Sequence, residues 1–185
     1  MSWKLKDEKL ASYLEAKERG EIDHDIVEVL DFINSLPNYV TLSSCSGRIA
    51  VVDTPKVGDK AAARFAGKWH REVSVEEVEE AAKTCESVGW LIQYPPIIHV
   101  ACRSIEDARF LLEIANNAGF RRSGVISLKN LIVEISSLER MELPVSVEGE
   151  LLVDRDYLEL VVKFANEKLR RGKEKVKRLY LLLKE

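Results

Sequence analysis

The sequence predicts an α+β protein whose helices pack on a mixed sheet, and three observations carry that expectation. Strand-like and helix-like segments interleave along the chain, and extended segments close to one another read as hairpins. One pattern, a His on an extended segment followed by a Ser that opens a helix, occurs twice and predicts an internally duplicated β-α-β unit. The nine glycines are scattered, with no two separated by a single residue. The G-x-G-x-x-G turn of a Rossmann fold is therefore not written here.

The chain has 185 residues, 46% hydrophobic and 32% charged, a globular composition that excludes disordered, collagenous or disulfide-knotted chains. A single domain spanning 1–185 is expected, with N-terminal helices over 1–36, a mixed core over 39–153, and a basic helix and tail over 154–185. Residues Trp3 to Arg19 read as a charged helix ended by Gly20. A second runs from Asp23 to Leu36, with Ile22, Ile26, Val29, Leu30 and Ile33 at helical spacing and Pro37 beyond it. Tyr39 to Leu42 and Arg48 to Asp53 read as strands separated by a Ser-rich segment, and Thr54 to Gly67 reads as a mobile loop.

The duplicated pattern joins His70, Ser74 and Glu77 in one copy and His99, Ser104 and Asp107 in the other. Ser74 and Glu77 have the spacing of a capping box, and Ser104 caps the second helix. The first helix is read as ending at Gly89 and the second at Gly119, each followed by an extended segment, Trp90 to Tyr94 and Phe120 to Ser127. Leu131 to Ser136 pairs with Gly124 to Leu128, Met141 to Val147 is extended, and a last helix runs from Asp154 to Arg171.

No apolar run reaches eighteen residues, and no apolar core follows Met1, so a soluble, cytoplasmic protein with no membrane partner is expected. Cys45, Cys85 and Cys102 lack C-x-x-C spacing and read as reduced thiols. With His24, His70 and His99 forming no ligand pattern, no metal is expected. Charge is uneven: from Lys163 to Glu185 nine Lys and Arg face three Asp and Glu, whereas residues 1–162 hold 19 against 28. Such a tail is either a grip on a polyanion or a solvated amphipathic helix.

The polar cluster Ser43-Ser44-Cys45-Ser46-Gly47-Arg48 offers backbone N–H groups, three hydroxyls and a guanidinium, enough to cradle a phosphate or carboxylate; the alternative is a hairpin turn. His70 and His99 are candidates to relay a proton or hydrogen-bond a base, or else satisfied structural residues. Arg103, Arg121 and Arg122 add positive charge, and Trp69 and Trp90 either stack on a base or belong to the core. Cys45 reads as a nucleophile only if a cation activates it, and as inert otherwise.

Taken together, Tyr39-Val-Thr-Leu-Ser-Ser-Cys-Ser-Gly-Arg-Ile49, Lys68-Trp69-His70, His99-Val-Ala-Cys-Arg-Ser104 and Ala118-Gly-Phe-Arg-Arg-Ser-Gly124 resemble the family of tRNA wybutosine-synthesising protein 3, in its archaeal branch. The similarity extends through Asp23 and Asn34 upstream and through Glu142-Leu-Pro144, Asp156-Tyr157 and Ala165-Asn166 downstream. It implies an S-adenosylmethionine-dependent methyltransferase of non-Rossmann fold. The methylated atom would be N4 of the tricyclic modified guanosine at position 37 of tRNA-Phe. Carried over, Ser43 to Arg48, His70, His99 and Arg103 form the expected pocket, and matching alone does not divide them between cofactor and base. Within it, His70 or His99 is expected to be the catalytic proton acceptor or orienting group, and Ser43, Ser44, Cys45, Ser46, Gly47 and Arg48 to hold the cofactor carboxylate or a tRNA phosphate. Arg103, Arg121, Arg122 and Trp69 would bind substrate. The rival readings are a non-catalytic tRNA-binding module or scaffold of the same pathway, and a cysteine-dependent small-molecule enzyme resting on Cys45 and Cys102.

Overall fold

The protein is described here by a computed structural model covering residues 3–55 and 61–185. In chain order, helix α1 is Lys4–Glu18; a 3₁₀ turn at His24–Ile26 leads into α2, Val27–Ser35. Strands β1 (Tyr39–Cys45), β2 (Arg48–Thr54) and β3 (Arg64–Trp69) precede α3 (Val75–Lys83). Strands β4 (Val88–Tyr94) and β5 (Ile97–Cys102) precede α4 (Ile105–Asn117). Strands β6 (Gly124–Ser127), β7 (Ile132–Ser136), β8 (Met141–Val147) and β9 (Glu150–Leu151) follow, and α5 (Arg155–Leu183) ends the chain.

These elements fall into two units. One comprises residues 3–46, 96–138 and 172–185, the other residues 47–55, 61–95 and 139–171. The first holds a sheet of order β1-β5-β7-β6, the second a sheet of order β3-β2-β4-β8-β9. The α+β class expected from the sequence is what folds, and its strands form two sheets in which every pairing is antiparallel. The two β-α-β passages explain why a mixed pattern yields antiparallel ladders. The β3-α3-β4 crossover skips over β2, and β5-α4-β6 skips over β7, so among the described residues strands of like direction are never neighbours. In the first passage the intervening strand precedes the crossover in sequence, and in the second it follows.

Strand alternation and helical periodicity fill one core in each unit. In the first, Ile98, Val100, Val133 and Ile135 project from the sheet onto Leu30 and Ile33 of α2, Leu111 of α4 and Leu179 of α5. In the second, Ile49, Val51 and Leu91 meet Val78 and Ala82 of α3 and Leu158, Val162 and Ala165 of α5. Each fully buried Leu or Ile contributes roughly 1.5–3 kcal/mol.

Element boundaries depart from the sequence reading in three places. Helix α3 ends at Lys83 and Gly89 lies inside β4, because the Asp53 carboxylate accepts the N–H groups of Glu86 and Ser87 at 2.8 and 3.0 Å and turns the chain early. The loop expected from Thr54 to Gly67 contains most of β3, and its residues 56–60 lie outside the described residues. Gly67 sits in β3 because the Trp69 ring occupies the space of its missing side chain; a Cβ there would meet the indole at 2.1 Å. Helix α5 continues through Gly172 to Leu183, where the sequence suggested a stop at Arg171. Gly172 is buried against the Pro96 ring, which a Cβ would approach to 2.6 Å, so this glycine serves close packing and not helix termination.

One irregularity governs the first sheet. The β1–β5 register shifts between Thr41 and Ser43, a bulge at Leu42. Thr41 opposes Val100 of the core, whereas Ser43 opposes His99 on the other face. In a regular strand, residues two apart share a face, so the bulge alone lets Ser43 depart from Thr41. Buried Asn34 holds it: its Nδ2 donates to Thr41 Oγ1 at 2.8 Å, and its Oδ1 accepts from Thr41 N at 2.9 Å.

Asn34→Ala is expected to destabilise the protein by about 2–4 kcal/mol in urea denaturation, since two polar groups of Thr41 lose their buried partner. A loss below about 1 kcal/mol would show that the bulge stands without this clamp. The capping box of α3 gives a pH-dependent expectation. Paired bidentately with Arg71 and accepting the Ser74 N–H, Glu77 has its carboxyl pushed down to about 2 from 4.5. Its contribution is complete above pH 4.5 and is lost as pH falls towards 2. The difference in denaturation midpoint between wild type and Glu77→Gln should therefore narrow through that window; a constant difference would refute the assignment.

Candidate functional site

The Ser-rich segment is not a hairpin turn. Ser43, Ser44 and Cys45 belong to β1, which pairs with β5, while Arg48 opens β2, which pairs with β3 and β4. Only Ser46 and Gly47 lie between the two strands. Ser46 is buried and its N–H donates to Asp23 Oδ2 at 2.8 Å; Gly47 adopts a left-handed φ of 89°, which glycine tolerates at no steric cost. Asp23, placed just before the 3₁₀ turn, thus anchors the end of the motif.

Across the first sheet the register lines up three polar residues. Ser43 faces His99, and His99 faces Glu134 on β7. Ser43 Oγ lies 2.7 Å from His99 Nδ1, and His99 Nε2 lies 2.9 Å from Glu134 Oε2. An ionised carboxylate only accepts hydrogen bonds, so Nε2 carries a proton. In the neutral imidazole, Nδ1 is then the acceptor of the Ser43 O–H, and Oγ can itself accept a further hydrogen bond. His99 and Glu134 side chains retain 25% and 31% exposure, enough to be reached from solvent while the strands hold both rotamers. Sequence reasoning did not single out Glu134, because its partnership with His99 arises from pairing between strands 35 positions apart. The only local signal is one acidic residue within the apolar strand Leu131 to Ser136.

Next to Ser43, a groove of about 290 Å³ is lined by Tyr13, Ile22, Thr41, Leu42, Ser43 and Ser44. Arg103 is exposed directly after β5, and Arg121 and Arg122 are exposed between α4 and β6. All belong to the first unit.

Gly47, Arg48, Trp69 and His70 belong to the second. His70 follows the last residue of β3, whereas His99 lies inside β5, so the two histidines of the repeated pattern do not occupy equivalent strand positions. Trp69 is half-buried against the core and over Gly67. Arg48 is half-buried, with its guanidinium carbon 4.9 Å from the Tyr94 ring centroid and 5.3 Å from that of Phe65. Its Nε is buried and has no hydrogen-bond acceptor among the described residues.

The thiols divide by environment. Burial, with Asp107 nearby, pushes Cys102 up to about 12, and burial raises Cys85 as well, so neither supplies a thiolate near neutral pH. Cys102 is buried with 2% of its surface exposed, whereas Cys45 is half-buried on β1.

The family model described as Methyltransferase TYW3 matches residues 4–185. A tRNA(Phe) 7-((3-amino-3-carboxypropyl)-4-demethylwyosine(37)-N(4))-methyltransferase of Archaeoglobus fulgidus is 63% identical over 97% of this chain and 92% of its own length. A protein of Pyrococcus horikoshii, with the same name numbered 1, is 48% identical over 95% of this chain and 91% of its own. Among solved structures, the PH1069 protein of Pyrococcus horikoshii superposes with a TM-score of 0.94 at 46% identity, covering 97% of this chain and 94% of that one. A hypothetical protein from Aeropyrum pernix gives 0.76 at 31% identity, over 87% and 96% of the two chains. The likeness covers both units, and the chain belongs to the TYW3 methyltransferase family.

Proposed function

We propose that this protein transfers a methyl group from S-adenosylmethionine to N4 of 7-(3-amino-3-carboxypropyl)-4-demethylwyosine at position 37 of tRNA(Phe), the activity in its relatives' names. The observation that carries the mechanism is the Ser43–His99–Glu134 row. Methylation of a ring nitrogen bearing hydrogen requires that one proton leave as the new bond forms. His99 Nδ1, reached through the Ser43 hydroxyl, is its acceptor. Glu134 holds the ring in the tautomer that keeps Nδ1 free of hydrogen, and its charge offsets the imidazolium that results. The serine hydroxyl also orients the acceptor nitrogen, so that alignment and proton removal come from one row of side chains.

Whether the cofactor suits this chain is tested by Arg48. A buried guanidinium Nε lacking an acceptor among the described residues fits the carboxylate of an amino acid moiety, so Arg48 is the residue proposed to hold S-adenosylmethionine. When bound, that cofactor supplies a sulfonium-activated methyl group. Arg103, Arg121 and Arg122, together with the lysines and arginines of α5, are proposed to contact tRNA phosphates. The exposure of Arg103, Arg121 and Arg122, and of Lys163, Arg170, Arg171, Lys177 and Arg178 in α5, supports this, as does the charge excess from Lys163 onward.

Labelled methyl from S-adenosylmethionine should appear on tRNA carrying the tricyclic, N4-unmethylated base and not on unmodified tRNA. Binding of both tRNAs without label on either would leave a scaffold. In single-turnover assays, His99→Ala should slow transfer by roughly 10²–10⁴-fold. Glu134→Gln should slow it at least about tenfold while tRNA affinity is retained. An unchanged rate in Glu134→Gln, or a loss confined to tRNA binding, would remove Glu134 from the proton path.

A further inference from the structure

On the second unit's sheet, the face turned away from its helices carries a strip of alternating cations and rings. Lys68 Nζ lies 5.7 Å from the Phe65 centroid, Arg48 lies over both Phe65 and Tyr94, and Arg140 lies 5.3 Å from the Tyr94 centroid. The register explains the assembly: Arg48 opposes Tyr94 across β2 and β4, Ala50 opposes Lys68 across β2 and β3, and a bulge brings Phe65 opposite Val52. These residues alternate with Ile49, Val51 and Leu91, which point into the helix-covered core.

Three positive charges brought to one strip with two rings between them repel one another. Glu142 pairs with Arg140 at 2.6 Å, at one end of the strip. That pair is solvent-exposed on both sides, at 54% and 41%, and an exposed ion pair is worth at most about 1 kcal/mol. Phe65 leaves 47% of its surface to solvent, unusual for a phenylalanine in a sheet, and Lys68 is exposed beside it. Burying a ring in the core would have been the ordinary use of Phe65. Here it sits where a flat π-surface and an exposed cation are presented together.

We infer that this strip is a docking surface for the phosphodiester backbone and an unstacked base of the tRNA, with Lys68 and Arg140 facing phosphates and Phe65 offering a stacking platform. The chemistry is that of sheet faces that combine cations with exposed aromatics to bind single-stranded segments. Arg48, fixed over both rings, sets the spacing of the two end cations. The inference rests on the proposed function for the identity of the RNA, and it concerns residues that reading does not assign, Phe65, Lys68, Tyr94 and Arg140.

The test measures the affinity of full-length protein for tRNA(Phe) carrying the tricyclic base, by fluorescence anisotropy, across a salt series. Lys68→Gln/Arg140→Gln should reduce the slope of log affinity on log salt by about 2, one for each phosphate no longer neutralised. Phe65→Ala should weaken binding roughly tenfold with its salt slope unchanged. Lys4→Gln removes a charge from a side chain that is 90% exposed elsewhere in the chain and should leave the slope as in wild type. A wild-type slope in the double variant, or an equal loss per charge in Lys4→Gln, would overturn the inference. Wild-type protein that binds tRNA but transfers no methyl group would defeat the functional reading alone, since the strip is judged by salt dependence and not by turnover.

Discussion

The clamp of Asn34 on Thr41 is the interaction on which the candidate site depends. It is small, two hydrogen bonds within a buried corner, but it fixes a bulge, and a bulge changes which face every later residue of a strand presents. Without it, Ser43 would follow Thr41 towards the helix-covered core, and His99 would face a neighbour without a hydroxyl. The bulged strand lies at the sheet edge, where an extra residue disturbs one ladder and not two. Asp23 then secures the far end of the same strand through the Ser46 N–H. Two residues from the segment before β1, Asn34 and Asp23, thus set the phase and the end point of the motif.

Local signals made much of this legible in the sequence. Ser74 and Ser104 cap their helices as their spacing suggests, and Gly119 closes α4 with a φ of 101°. What failed had a tertiary cause each time. Gly172 looked like a stop because glycine is costly in a helix, yet Pro96 demands the missing Cβ. Gly89 looked like a helix end because Asp53, far back in sequence, is what stops α3. The loop reading of Thr54 to Gly67 rested on Pro55, Gly58 and Gly67, and the last of these sits in a strand because of the Trp69 ring.

The site itself was legible as a set of residue types and not as an arrangement. Ser43 and His99 stand out among apolar neighbours, but their bond is 56 residues long in sequence and needs an unforeseeable register shift. Glu134 carries no motif. The Arg48, Phe65 and Tyr94 contacts are equally silent, since each residue alone is ordinary in a strand and only sheet order assembles them. The repeated His–Ser pattern, conversely, overstates equivalence: it captures two helix caps faithfully and two histidines only loosely.

Antiparallel sheets constrain where such a protein places its chemistry. A doubly wound parallel sheet collects helix N-termini and strand ends along one edge, and ligands settle in the crevice there. Here both ladders are antiparallel and each crossover skips a strand, so no such edge exists among the described residues. What an antiparallel sheet offers instead is a face, where directly opposed side chains stand about 4.5–5.5 Å apart and long polar groups meet across strands. In each unit the helices cover one face with apolar residues, and a row of polar or aromatic side chains occupies the other: Ser43, His99 and Glu134 in one, Arg48, Phe65, Lys68 and Tyr94 in the other. The positions of both rows are dictated by strand register and not by a glycine-rich turn at a helix end, and a single slipped residue would dismantle either.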